Sequence, residues 1–86
     1  MSKTLEKVGI VNHFFSKISV AVVELTASLK VGETIAIKGM TTNFEQTVDS
    51  MQIEHETVNE AKKGDSIGLK VRDRVREGDI VYRVKD

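Results

Sequence analysis

Leu29-Lys30-Val31-Gly32-Glu33-Thr34-Ile35-Ala36-Ile37-Lys38-Gly39 decides the fold. Gly32 takes positive φ without steric cost, so the backbone can reverse there. Beyond it, Ile35 and Ile37 alternate with Thr34, Ala36 and Lys38, the period of a half-buried strand. The pattern returns as Lys63-Gly64-Asp65 before Ile67-Gly68-Leu69-Lys70-Val71, and as Glu77-Gly78-Asp79 before Ile80-Val81-Tyr82-Arg83-Val84. Each time a glycine beside an acid precedes a β-branched run.

Working outward, the same periodicity predicts strands over 6–17, either covered on both sides or bent at Gly9, and over 18–25, with a break or bend at Ser16-Lys17. In the second, Ile18, Val20 and Val22 share one face and Ser19, Ala21 and Val23 the other. Phe44, Gln46 and Val48 hold one parity while Met51 and Ile53 hold the opposite one, so a bulge near Asp49-Ser50 is expected. The interval 55–63 offers a turn of helix or none. Strands over 66–72 and 79–85 close the chain, and residues 1–5 read as a weakly ordered end. Six short strands with turn signals between them predict an all-β barrel or sandwich. Closing the sheet would remove exposed strand edges, which favours the barrel.

The 86 residues are enough for one small domain. Thirteen basic and 13 acidic residues cancel, which argues against unspecific polyanion binding. Cysteine is absent, excluding disulfides and thiol chemistry and favouring the cytoplasm. No apolar run reaches the length of a membrane helix, and no signal-peptide pattern is visible.

The organising stretch, together with Val48-Asp49-Ser50-Met51, Ala61-Lys62-Lys63-Gly64-Asp65-Ser66-Ile67-Gly68-Leu69 and Glu77-Gly78-Asp79-Ile80-Val81, resembles the second domain of elongation factor Tu and other translational GTPases. His13-Phe14-Phe15-Ser16-Lys17-Ile18 with Val20-Ala21-Val22, and Phe44-Glu45-Gln46-Thr47-Val48 with Ser50-Met51-Gln52, resemble two smaller groups more closely. These are stand-alone elongation-factor-like proteins and the C-terminal barrel of collagenase-like peptidases of unclassified catalytic type. The resemblance implies a closed six-stranded Greek-key β-barrel of the translation-factor type, one domain over 1–86 ordered from about 6 to 85. It implies turns at Gly32 and Gly64, as the pattern also places one at Gly78, and a close strand approach at Gly68. It also implies a non-enzymatic binding module contacting RNA or ribosome-associated partners. The alternative is an accessory subunit of a separate peptidase-like or RNA-modifying enzyme.

No phosphate-binding loop is present, so no nucleotide cofactor is expected. None of Ser16, Ser19, Ser28, Ser50 and Ser66 lies in a nucleophile elbow, so no catalytic residue is assigned. His13 and His55 are the only histidines; a zinc site would need both plus Glu54 or Glu56, and no metal is expected. The candidate binding residues are His13, Phe15 and Lys17, where aromatics and a base meet near a bend. The competing reading packs Phe14 in the core and Phe15 over a barrel end. Arg72, Arg74 and Arg76 form a second candidate set, sharing one face if their segment is extended. The competing reading pairs them with the carboxylates of 43–60: Glu45, Asp49, Glu54, Glu56 and Glu60.

Overall fold

The computed structural model describes residues 3–85. Ten strands follow one another: β1 Thr4–Phe15, β2 Val20–Leu25, β3 Leu29–Lys30, β4 Thr34–Lys38, β5 Asn43–Thr47, β6 Met51–Ile53, β7 Glu56–Val58, β8 Glu60–Ala61, β9 Ser66–Lys70 and β10 Ile80–Lys85. Eight of them form one antiparallel sheet in the order β5-β4-β10-β1-β2-β9-β6-β7, and β3 pairs separately with β8. No helix occurs among the described residues, and none therefore is long and apolar enough to cross a membrane. The interval 55–63 holds β7 and β8. Thr4 and Leu5, expected to be weakly ordered, pair with Lys85 and Val84 of β10.

The three glycine–acid turns are built alike. Gly32, Gly64 and Gly78 have φ of 97°, 93° and 92°, and the residue before each is not left-handed, which is the type II pattern. The N–H of Glu33, Asp65 and Asp79 donates to the carbonyl of Lys30, Lys62 and Arg76, at 3.3, 3.0 and 3.1 Å. The acid side chain then turns back and accepts the N–H of that same residue, at 2.7, 2.8 and 2.8 Å. The acid beside each glycine therefore supplies a second, charge-assisted bond across the turn. Asp79 is only 4% exposed. A Cβ on Gly39 would stand 1.9 Å from its Oδ1, so that glycine makes room for a buried carboxylate.

The long first strand is bulged, as a bend at Gly9 anticipates. Its register shifts between Lys7 and Gly9 against β10, and between Val11 and His13 against β2. The first shift changes parity, so Val8 and Val11 both face inward despite their odd spacing. A Cβ on Gly9 would lie 2.6 Å from Val23 Cγ1, so the two strands come close there. The core is one cluster, with Val11, Val23, Leu29, Ile37, Met51 and Leu69 among its members.

Two expectations are corrected. The parity change after Val48 is not a bulge. β5 pairs with β4 at one margin of the sheet, whereas β6 pairs with β9 and β7 at the other. Asp49 and Ser50 carry the chain between them, and Val48 is held at the crossing by Gly32 and Glu33 (2.9 Å each). Nor does the sheet close as a six-stranded barrel, because its margins β5 and β7 do not pair with each other. A side chain spans part of the gap. Gln46, 4% exposed on β5, donates from Nε2 to the Lys70 carbonyl (2.9 Å) and accepts the Arg72 N–H on Oε1 (2.8 Å). This brackets Val71 as a neighbouring strand's peptide would, and satisfies groups that the open ladder leaves free.

Candidate functional site

The site grows from the tip of the β1–β2 hairpin. Phe15 pairs with Val20, and residues 16–19 form the turn, with Ser19 in the left-handed region at φ 55°. The tip is held to its neighbours through two of its own backbone carbonyls. Val71 N–H donates to the Ser19 carbonyl (2.9 Å), and Lys70 Nζ donates to the Ile18 carbonyl (2.8 Å).

β2 places Ala21, Val23 and Leu25 inward, which leaves Val20 and Val22 on the outer face. They meet Phe15 and Ile18, which are 47% and 57% exposed, in an open groove of about 280 Å³. Gly68 of β9 lines it too, directly between Val22 and Gln52 in the pairing, where a Cβ would touch Val20 Cγ1 at 3.4 Å. At the far end stands the β6–β7 turn, Glu54-His55, with φ of 50° and 68°. Both central residues of that two-residue turn are left-handed, the type I′ geometry usually given to Asn-Gly. Two side chains with Cβ in this region carry strain, and the turn places them at the groove.

A second cleft, about 320 Å³, opens on the other side of the tip between Phe14, Ser16 and Ser19 and the segment Arg72-Asp73-Arg74. That segment is not extended strand. Val71 and Val75 are buried on either side of it, so Arg72, Asp73 and Arg74 are turned outward.

The residues singled out in the sequence are placed as follows. His13 and Phe15 stack edge to face, with ring centroids 4.4 Å apart. Lys17 is exposed at the hairpin tip. Arg72 and Arg74 share the second cleft, while Arg76 begins the turn at Gly78 and does not line it. Phe14 packs half-buried against the core, and Phe15 is about half exposed. Sequence reading missed the groove itself. Its signal was the second apolar face of β2, which a core on one side of the sheet does not use.

Charge is distributed unevenly. The ion pairs among the described residues join Lys3 to Glu45, Lys85 to Glu6, and Arg83 to both Glu6 and Glu33. None joins an arginine of 72–76 to a carboxylate of 43–60. Arg83 is 15% exposed in its side chain; Nη1 lies 3.0 Å from Glu6 Oε1 and Nη2 donates to the Ser28 carbonyl. Its Nε is 3.0 Å from Glu33 Oε2, an ion pair whose angle falls short of a hydrogen bond. The hydrogen bond from Lys85 holds the Glu6 carboxyl below its ordinary value; desolvation opposes this, and the charges of Lys85 and Arg83 assist it. No group of three or more His, Asp or Glu side chains among the described residues is placed to hold a metal.

No family model matches the chain. Among curated proteins it is 49% identical over 81 residues, 93% of its length, to the Uncharacterized protease MJ0090 of Methanocaldococcus jannaschii. It is 38% identical over 72 residues, 81% of its length, to a Collagenase of Porphyromonas gingivalis. In each case the chain spans 20% of the relative. Among solved structures it superposes on the C-terminal domain of a Geobacillus thermoleovorans U32 peptidase with a TM-score of 0.85 at 17% identity, covering 91% of both chains. The selenomethionine variant of that domain gives 0.84 at 18% identity, covering 88% of this chain and 96% of that one. These findings overturn the expected elongation-factor kinship and RNA binding, because the relatives are proteases and collagenases. The chain is homologous to a domain-sized segment of these collagenase-type proteins, and it has the fold of a U32 peptidase C-terminal domain.

Proposed function

We propose that this chain is a non-catalytic accessory domain that docks a peptidase-like partner through the groove at Phe15 and Ile18. The observation that carries this reading is the disproportion of the match: nearly the whole chain aligns with a protease, yet it accounts for one fifth of that protein. The remaining four fifths is the natural occupant of an apolar face. Two large hydrophobic side chains stand in solvent beside the outer valines of β2, and such contiguous apolar surface marks interaction sites. An aromatic anchor set among aliphatic neighbours is the usual centre of binding energy. His13 packs on Phe15, and His55 sits in the strained β6–β7 turn at the groove, which Ser66 also lines.

The test is reconstitution. The archaeal protease is produced without its matched segment, and its association with the present chain is measured by calorimetry. The expected result is a one-to-one complex that Ile18→Asp weakens by more than about tenfold, roughly 1.4 kcal/mol. Absence of a complex at high micromolar concentration would contradict the docking role. Hydrolysis of peptides by the isolated chain would contradict the non-catalytic one.

A further inference from the structure

We propose that the cleft between the hairpin tip and Arg72-Asp73-Arg74 binds a carboxylate presented by a peptide. The peptide part of this inference rests on the peptidase-accessory reading; the carboxylate part rests on the cleft alone. Arg72 and Arg74, with Ser16, Ser19 and Phe14, line an open space of about 320 Å³. Arginine forks match a carboxylate's two oxygens, serine hydroxyls can donate to the same group, and an aromatic wall accepts the adjoining side chain. Neither arginine has a carboxylate within ion-pairing distance among the described residues, whereas Arg83 is ion-paired to two.

Asp73 lines the same cleft, so the lining residues carry two positive charges and one negative, a balance that attracts an anion. The aromatic wall of Phe14 then favours an anion with an adjoining side chain, a carboxylate on a peptide, over inorganic phosphate.

The walls are set before any ligand arrives. On one side the Arg72 N–H is fixed by Gln46 Oε1 (2.8 Å), and Val71 and Val75 anchor the segment in the core. On the other, the Ser19 and Ile18 carbonyls are held by Val71 N–H and Lys70 Nζ. Ser19 keeps a left-handed backbone at this wall. Such preorganisation reduces the ordering cost of binding.

The experiment is an amide-resolved NMR titration of the chain with the acetylated tripeptide Ac-Gly-Ala-Leu. Its C-terminal amide, the amide Ac-Gly-Glu-Leu-NH2 and inorganic phosphate are titrated in parallel. The acid peptide is expected to shift Ser16, Ser19, Arg72 and Arg74 saturably, and to bind about tenfold or more tightly than its plain amide. The doubly substituted Arg72→Gln, Arg74→Gln chain should lose that difference while keeping its melting temperature. If the glutamate-bearing amide binds as the acid does, the site accepts a side-chain carboxylate as well as a C-terminal one; if it binds as the plain amide does, the site requires the C-terminus. Either result supports the site. Equal binding of acid and plain amide, tighter binding of phosphate than of the acid peptide, or an unchanged affinity in the double variant would overturn it. A chain that binds the acid peptide but forms no complex with the protease segment keeps this site and refutes docking; the converse refutes only this site.

Discussion

Arg83 and the pair Arg72–Arg74 are the same residue type in opposite settings. Arg83 is largely buried between two carboxylates and a backbone carbonyl, where it ties β10 to β1 and to the Glu33 turn. Arg72 and Arg74 stand outward over a cleft without such partners among the described residues. The aliphatic residues divide in the same way: Val23 and Leu25 fill the core, while Val20, Val22 and Ile18 line an exposed groove. One end of the molecule uses its charge and apolar surface to hold itself together. The hairpin end keeps both available for something else.

The sharpest way to break that contrast is at Gly39, on the self-contained side. Gly39→Ala drives a Cβ into the Asp79 carboxylate and is expected to destabilise the fold by about 3 kcal/mol in urea unfolding. Adding Asp79→Ala should recover part of that loss, because the clash and the carboxylate disappear together. Next comes Gln46→Leu, which leaves the Lys70 carbonyl and Arg72 N–H without their partner; about 2 kcal/mol is expected, with faster hydrogen exchange at Arg72. On the hairpin side the expectation reverses. Phe15→Ser should cost only about 1 kcal/mol by thermal unfolding, since the ring is about half exposed and its contacts are confined to His13 and the groove. The smallest effect concerns acid. Glu6 has its carboxyl held low in the folded chain, so its contribution is complete above its ordinary value of 4.5 and is lost as pH falls through the folded value. Glu6→Gln should therefore flatten the acid limb of melting temperature against pH below that value.

How much of this could be read from sequence varied with the range of the cause. The glycine–acid turns were legible because the glycine, the acid and the bond between them lie within four residues. β4, β9 and β10 followed from alternation for the same reason. The open sheet was not legible. Whether the margins pair depends on where Asp49-Ser50 sends the chain, and a parity change at Val48 looks the same for a bulge and for a crossing. Gln46 entered only as one member of an alternating row with Phe44 and Val48; its partners lie 24 and 26 residues away, and no local pattern announces them. At the candidate site the sequence singled out His13, Phe15 and the arginines by chemistry. It had no means of showing that Arg72 and Arg74 meet Ser16 and Ser19 while Arg76 does not. Ile18 was assigned to a strand face, when it is a turn residue projecting from the tip.

The division between a self-contained end and an outward-facing one is tested most directly by mapping amide shifts when the chain is titrated with the protease segment lacking its own copy of this domain. The account predicts perturbations concentrated at residues 13–22, 54–55 and 66–68, with the turns at Gly32 and Gly78 and the Arg83 cluster unmoved. Perturbations centred on β10 and those turns, with the Phe15–Ile18 groove silent, would contradict it.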